Sequence, residues 1–244
     1  MKIKDALKKL LNSMLDFLFP RECIKCGNSG GYLCKSCFDK IEIKKILSCP
    51  DCGRENLLGE FCGGYCKNGY YFDRLIYCFD YEKKSWIKNL IVNLKYKFSE
   101  DAGNILGAFM ARQFLAYFGE VKFRENFVLV PVPLSAKKLK YRGFNQSKIL
   151  CDQLKTRFDL TVLDCFYRHE STSQVKLNRL ERAKNIRETI FIPDKFKEDV
   201  NGKFVILIDD IATTLSTLNE CSRILKKAGA RQICCFTLAR RWRN

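Results

Sequence analysis

The order of apolar strands and amphipathic helices predicts an α/β domain built on a parallel sheet with helices on both faces, preceded by a small metal-bound module. Three observations carry that expectation. Strand-like and helix-like segments alternate from residue 74 onward. The near-continuous apolar run Phe204–Ile208 ends in two carboxylates and a hydroxyl-rich loop, as a doubly buried strand does where it delivers a ligand site. Eight of the fourteen cysteines fall in four close pairs within residues 23–66.

Taken in order, residues 2–19 have helical spacing, with Ile3, Leu7, Leu10, Leu11, Met14, Leu15 and Leu18 on one side. Lys2, Lys4, Lys8 and Lys9 mark the polar side, and Lys8 and Lys9 break any signal-peptide core. Such a helix packs on its own domain or lies on a membrane surface. Pro20 ends it. The parse is therefore residues 1–20 as an amphipathic helix, 21–70 as a double zinc ribbon and 71–244 as the α/β domain.

The cysteine pairs are Cys23 with Cys26, Cys34 with Cys37, Cys49 with Cys52, and Cys62 with Cys66. Gly27, Gly53, Gly63 and Gly64 beside or within them allow tight turns that aim backbone amides at sulfur. Eight thiolates make two tetrahedral structural zinc sites. The segment is too short and charged for a core of its own, so metal supplies much of its folding energy. Disulfides would need an oxidising compartment, and a cytoplasmic location is expected instead. Sequential pairing puts Cys23, Cys26, Cys34 and Cys37 on one ion and the other four on the second; a cross-braced alternation is also open. Cys78, Cys151, Cys165, Cys221, Cys234 and Cys235 read as small buried hydrophobes.

Residues 74–80 read as a strand, 84–97 and 101–118 as helices, 127–133 as a second strand and 145–158 as a third helix. Phe204–Ile208, a helix bearing Leu218, Cys221, Leu225 and Ala228 up to a stop at Gly229, and a last strand Ile233–Leu238 complete the pattern. No apolar stretch is long enough to cross a membrane. Apolar content of 47% supports a real core. The formal charge is +17. Two four-thiolate zinc centres lower it to about +13, still favouring a polyanionic partner or phosphorylated ligand. A Lys-rich composition alone is the plainer explanation.

Asp209 and Asp210 suit sugar hydroxyls or a phosphate-bound Mg²⁺. The hydroxyls of Thr213, Thr214, Ser216 and Thr217, with backbone N–H groups at a helix start, suit a phosphate monoester. Lys137, Lys138, Lys140 and Arg142 form a basic turn on the same rim, placed for pyrophosphate. The loop resembles the phosphoribosyl pyrophosphate (PRPP) motif of type I phosphoribosyltransferases, with Leu215 where that motif has glycine. Leucine disfavours positive φ. It is therefore expected to keep φ negative with its side chain turned away, setting the loop back from phosphate and leaving weak binding and little or no turnover.

Residues 168–188 are polar and poor in apolar anchors, the profile of an active-site hood. His169, the only histidine, reads as exposed. Further landmarks are Leu18-Phe19-Pro20, Leu94-Lys95-Tyr96, Pro131-Val132-Pro133-Leu134, Arg142-Gly143-Phe144-Asn145-Gln146, and Thr172, Gln174, Arg182 and Asn185. With the cysteine pairs and Asp209–Thr217, they resemble the ComF family over nearly the whole chain.

That resemblance implies a type I phosphoribosyltransferase fold behind a double zinc ribbon, in a protein that handles single-stranded DNA during natural transformation beside a ComFA-type helicase and processing factors. Interleaved cations and aromatics suit single-strand binding: Lys95, Tyr96, Lys97 and Phe98; Lys140, Tyr141 and Arg142; and Arg240, Arg241, Trp242 and Arg243. Two other readings stand beside it. One is a transferase using PRPP·Mg²⁺, with Asp209 and Asp210 on ribose and metal, Thr213 to Thr217 on the 5-phosphate, and Lys138 and Arg142 on pyrophosphate. The other is a scaffold that only senses PRPP.

Overall fold

The computed structural model describes residues 22–82, 85–97, 100–119, 126–168 and 190–242. The expected N-terminal helix, Phe98, His169, the hood residues Thr172, Gln174, Arg182 and Asn185, and Arg243 lie outside them.

Each cysteine tetrad is a compact knuckle pair. Strands β1 (Leu47–Ser48) and β2 (Glu55–Asn56) pair antiparallel inside the second. The domain then runs β3 (Arg74–Asp80), α1 (Trp86–Lys97), α2 (Glu100–Phe118), β4 (Phe127–Pro131), α3 (Ala136–Arg142) and α4 (Gln146–Phe158). It continues through β5 (Thr161–Val162), β6 (Tyr167–Arg168), β7 (Ile190–Phe191), β8 (Phe204–Ala212), α5 (Ser216–Lys227) and β9 (Gln232–Arg240). Five strands form one parallel sheet in the order β3-β9-β8-β4-β5, with Val128 opposite Val205 and Ile208 opposite Phe236. β6 and β7 form a separate antiparallel pair at the two ends of the hood segment.

Sequence pattern explains the layers. β8 and β9 lie in the middle of the sheet, and their unbroken apolar runs are buried on both faces. Leu90, Ile91 and Leu94 bury one face of α1, and Leu106 and Met110 one face of α2. α4 packs on α2 and over β4 and β8. The contact is close: a Cβ on Gly107 would lie 2.6 Å from Gln153 Cβ, so only glycine fits there. The six cysteines outside the tetrads are all fully buried, as small hydrophobes.

Topology places the site. From β4 the chain passes through α4 to β5 on one side, and from β8 through α5 to β9 on the other. Right-handed crossovers put those two helices on opposite faces. The strand order thus reverses between β4 and β8, and a crevice opens at their carboxyl ends.

The ribbons are fixed to this domain. The first docks on α2, where Phe38 and Phe109 rings lie 4.5 Å apart. Arg112 donates to the carbonyls of Phe38 (3.4 Å) and Ile41 (3.1 Å). The second docks on the sheet edge: Leu75 N–H donates to Gly59 O (2.8 Å) and Tyr77 O–H to Ser48 Oγ (3.3 Å).

Candidate functional site

The sulfurs of Cys23, Cys26, Cys34 and Cys37 lie within 4.8 Å of one another, as do those of Cys49, Cys52, Cys62 and Cys66. Sequential pairing is the arrangement found. All fourteen cysteines are free thiols. Cys26–Cys34, Cys52–Cys62 and Cys62–Cys66 separations are 3.7, 3.5 and 3.4 Å. Those are far longer than a disulfide. They are close to the edge, about 3.8 Å, of a tetrahedron with 2.3 Å Zn–S bonds. Gly27 and Gly53, both at φ +77°, close the knuckles with N–H bonds to Cys23 O (2.8 Å) and Cys49 O (3.1 Å). Burial opposes ionisation of Cys23, but the amides of Cys34, Cys26 and Lys25 outweigh it and bring the thiol down to about 6. The same balance brings Cys49 to about 7. The sulfur spacing and the closing N–H bonds make both tetrads fit zinc.

The crevice between β4 and β8 has a volume of about 370 Å³. Its walls bring together Lys95, Lys138, Arg142, Asp209, Asp210, Thr213 and Thr217 from four elements and a loop. Lys137 and Lys140 sit on the solvent side of α3 and do not line it. The expected basic turn is a helix: Ser135 caps its start, accepting from Lys138 N–H (3.4 Å), and Gly143 ends it. Helical spacing puts Lys138 and Arg142 on one face, toward the crevice.

The two carboxylates are already partnered. Asp209 Oδ1 accepts from Ser147 Oγ (3.0 Å) and from Asp210 N–H (2.9 Å). Asp210 forms an ion pair with Lys95 and accepts from Gln146 Nε2 at 3.4 Å. Burial, then the neighbouring Asp210 charge, raise Asp209 from its ordinary 3.8 to about 7. As it stands the pair does not fit a bare Mg²⁺ site: Lys95 neutralises one carboxylate, and burial opposes ionisation of the other.

Gln146 and Ser147 have roles that the sequence reading missed. Asn145 caps α4 by accepting from Ser147 N–H (3.0 Å), and its amide donates to Val132 O (3.0 Å). Gln146 Oε1 in turn accepts from Arg142 (3.0 Å). The run from Arg142 to Ser147 thus assembles the acidic side of the crevice, a role its unusual composition could have signalled. Arg168, on β6, is the other missed residue. It lines the crevice and donates to Pro133 O (3.4 Å), and its buried Nε has no hydrogen-bond partner among the described residues. Burial lowers its pKa from the ordinary value.

Leu215 departs from expectation. Its φ is +62°, in the left-handed region, and its side chain is 4% exposed within the core. The backbone keeps the conformation glycine would take, and burial of the isobutyl group holds it there. The steric reason for expecting a set-back phosphate loop is therefore removed. Thr213 and Thr217 line the crevice, while Thr214 and Ser216 hydroxyls bond each other at 3.1 Å.

The cation–aromatic stretches divide. Arg142 lies 5.1 Å from the Tyr96 ring centre, and Tyr96 meets Tyr141 edge-on at 6.5 Å. Both tyrosines are exposed, at 57% and 79%. Lys95 is committed to Asp210, and Lys97 closes α1. Within the third stretch, at 240–243, Arg240 and Trp242 form no stacking surface. Arg240 is buried, donating to Thr213 O (2.6 Å), Ala212 O (3.3 Å) and Pro50 O (3.1 Å). Trp242 lies under its guanidinium at 4.7 Å and donates to Asp80 Oδ1 (3.2 Å).

Among the described residues, no helix is long and apolar enough to cross a membrane. The chain matches the double zinc ribbon domain family over residues 14–68 and the phosphoribosyl transferase domain family over 139–243. It is 28% identical to competence protein F of Haemophilus influenzae, over 93% of this chain and 100% of that one. To competence protein ComFC of Bacillus subtilis it is 32% identical, over 85% and 84%. To the DNA utilization protein YhgH of Escherichia coli it is 24% identical, over 85% and 90%. Ribbon and transferase-type domain occur in the expected order, and identity extends over most of both chains: this protein belongs to the ComF family of competence proteins.

Proposed function

We propose that the protein binds single-stranded DNA in the cytoplasm during DNA uptake, with the crevice as a phosphate- or PRPP-binding pocket and the zinc ribbons as a surface for a ComFA-type helicase or another processing protein. The observation that carries the DNA reading is the exposed Tyr96–Arg142–Tyr141 group at the mouth of a crevice that also holds Lys138 and Arg168. Strand binding without sequence readout needs cations for the backbone and exposed rings for bases. Relatives named for competence and DNA utilization point the same way.

The test is a fluorescence anisotropy titration of single-stranded DNA over a salt series. Replacing Lys138, Lys140 and Arg142 together is expected to weaken binding and to flatten the log–log salt slope by about 2, at about 0.7 per lost phosphate contact. Wild-type binding by that variant at every salt concentration would remove the rim from consideration.

A second reading is a PRPP-dependent phosphoribosyltransferase. It is favoured by Thr213, Thr217, Asp209 and Asp210 lining one crevice together with Lys138, Arg142 and Arg168. Those residues would hold and orient the 5-phosphate, ribose and pyrophosphate, and the cations would stabilise the leaving charge. Calorimetry with PRPP, with and without Mg²⁺, alongside a pyrophosphate-release assay, separates binding from turnover.

A further inference from the structure

We propose that the crevice receives the 5′-phosphorylated end of single-stranded DNA, with the terminal phosphate on the Thr213–Thr217 loop and the first base against Tyr96 and Tyr141. The proposal rests on the DNA reading above and names the part of the strand that this site recognises.

The chemistry of the loop comes first. The 5-phosphate of a phosphoribosyl group and the terminal phosphate of a strand are the same group, a phosphate monoester on the exocyclic carbon of a furanose. A loop of N–H groups and threonine hydroxyls that suits one suits the other. An internal phosphodiester has one charge fewer and is flanked by sugar on both sides. It fits poorly where the loop runs straight into the start of the 12-residue α5.

The acidic pair is the second point. Two bare carboxylates would repel the next phosphate of a strand and would require Mg²⁺ to be tolerated. Here Lys95 neutralises Asp210, while Ser147 and a backbone N–H both donate to Oδ1 of Asp209. A deoxyribose has no 2′-hydroxyl for a carboxylate clamp to hold. With Asp210 neutralised by Lys95, the pair tolerates a deoxyribose end without metal.

The third point is the cationic lining. Arg168, held by its bond to Pro133 O, lines the same crevice as Lys138 and Arg142. Arg168 is a cation on the crevice lining, and the second phosphate of the strand supplies it a charge-assisted acceptor. Beyond it, Tyr96 and Tyr141 are among the most exposed large side chains of the domain. Base–aromatic stacking gives such rings a partner.

The experiment compares short oligonucleotides of one sequence carrying a 5′-phosphate, a 5′-hydroxyl or a 3′-phosphate, with the full chain and no added Mg²⁺. The 5′-phosphorylated strand is expected to bind about tenfold tighter than the other two. Excess ribose 5-phosphate should erase that advantage and leave the binding of the 5′-hydroxyl strand unchanged. Thr213→Val with Thr217→Val should erase it in the same way, with zinc content and thermal melting as the check on folding. If that variant does not fold, the ribose 5-phosphate competition decides the matter alone. Equal affinity for the three oligonucleotides overturns the end-recognition proposal while leaving DNA binding in place, and so does an advantage that survives saturating ribose 5-phosphate. If none of them binds, the DNA reading itself fails and this proposal falls with it.

Discussion

At Leu215 two effects of similar size oppose each other. A left-handed backbone costs a branched L-residue about 1–2 kcal/mol. Burying a leucine side chain returns about 1.5–3 kcal/mol, and this one is 4% exposed. The balance makes an unusual ordering of variants. Leu215→Ala loses the packing and keeps the strain, so urea unfolding should show a loss of about 2–5 kcal/mol. Leu215→Gly loses the same packing but relieves the strain, so it should be the more stable of the two by about 1 kcal/mol. In an ordinary helix or strand glycine is the worse choice. An alanine variant more stable than the glycine variant would show that φ near +62° is not strained here.

Among the elements, β8 has the most to teach. The apolar run predicts a strand ending at Ile208, but the ladder continues to Ala212, pairing Asp209 with Thr237 and Ile211 with Ala239. Two carboxylates thereby enter the sheet, and burial raises Asp209 from 3.8 to about 7. Between those values the unfolded chain has released a proton that the folded chain still holds. Stability from this group is full below the lower value and is lost as pH rises through the upper one. Asp209→Asn should remove that slope, giving melting temperatures that change less between pH 4 and 7 than those of wild type. An unchanged profile would place the titrating group elsewhere.

The same strand shows what the sequence could and could not reveal. Apolar period and caps gave most strands and helices to within a few residues, because buried faces leave a local record. The cysteine spacing revealed the two tetrads for the same reason. Asp-Asp in a strand contradicts local propensity, and only the neighbouring β9 ladder holds it there. β5, β6 and β7 are two residues long and owe their existence to distant partners. Site residues with a chemical signature (Asp209, Asp210, Thr213, Thr217, Lys138 and Arg142) were legible. The pairing of Lys95 with Asp210 and of Ser147 with Asp209, and the place of Arg168 in the crevice lining, were not, since pairing across a fold leaves no spacing to read.

For the molecule as a whole, the contact that matters is Arg240. A single guanidinium spans the carbonyls of Pro50, inside the second cysteine knuckle, and of Thr213, at the start of the phosphate loop. A metal shared by the four thiolates is expected to supply much of what holds the knuckle in shape. Pro50 is therefore in place when zinc is bound, and Arg240 transmits that placement to the loop. If that contact couples the two sites, thermodynamic linkage works in both directions, and an anion held by the loop tightens the hold on zinc. A chelator should withdraw one of the two zinc ions several-fold more slowly when the loop is saturated with phosphate or ribose 5-phosphate, and Arg240→Lys, which keeps the charge and loses the fork, should abolish the difference. Equal release rates with and without the anion would make the ribbon and the loop independent. If the rates differ, the metal is an allosteric effector as well as a structural one, and a cell short of zinc would lose affinity at the crevice before it lost the fold.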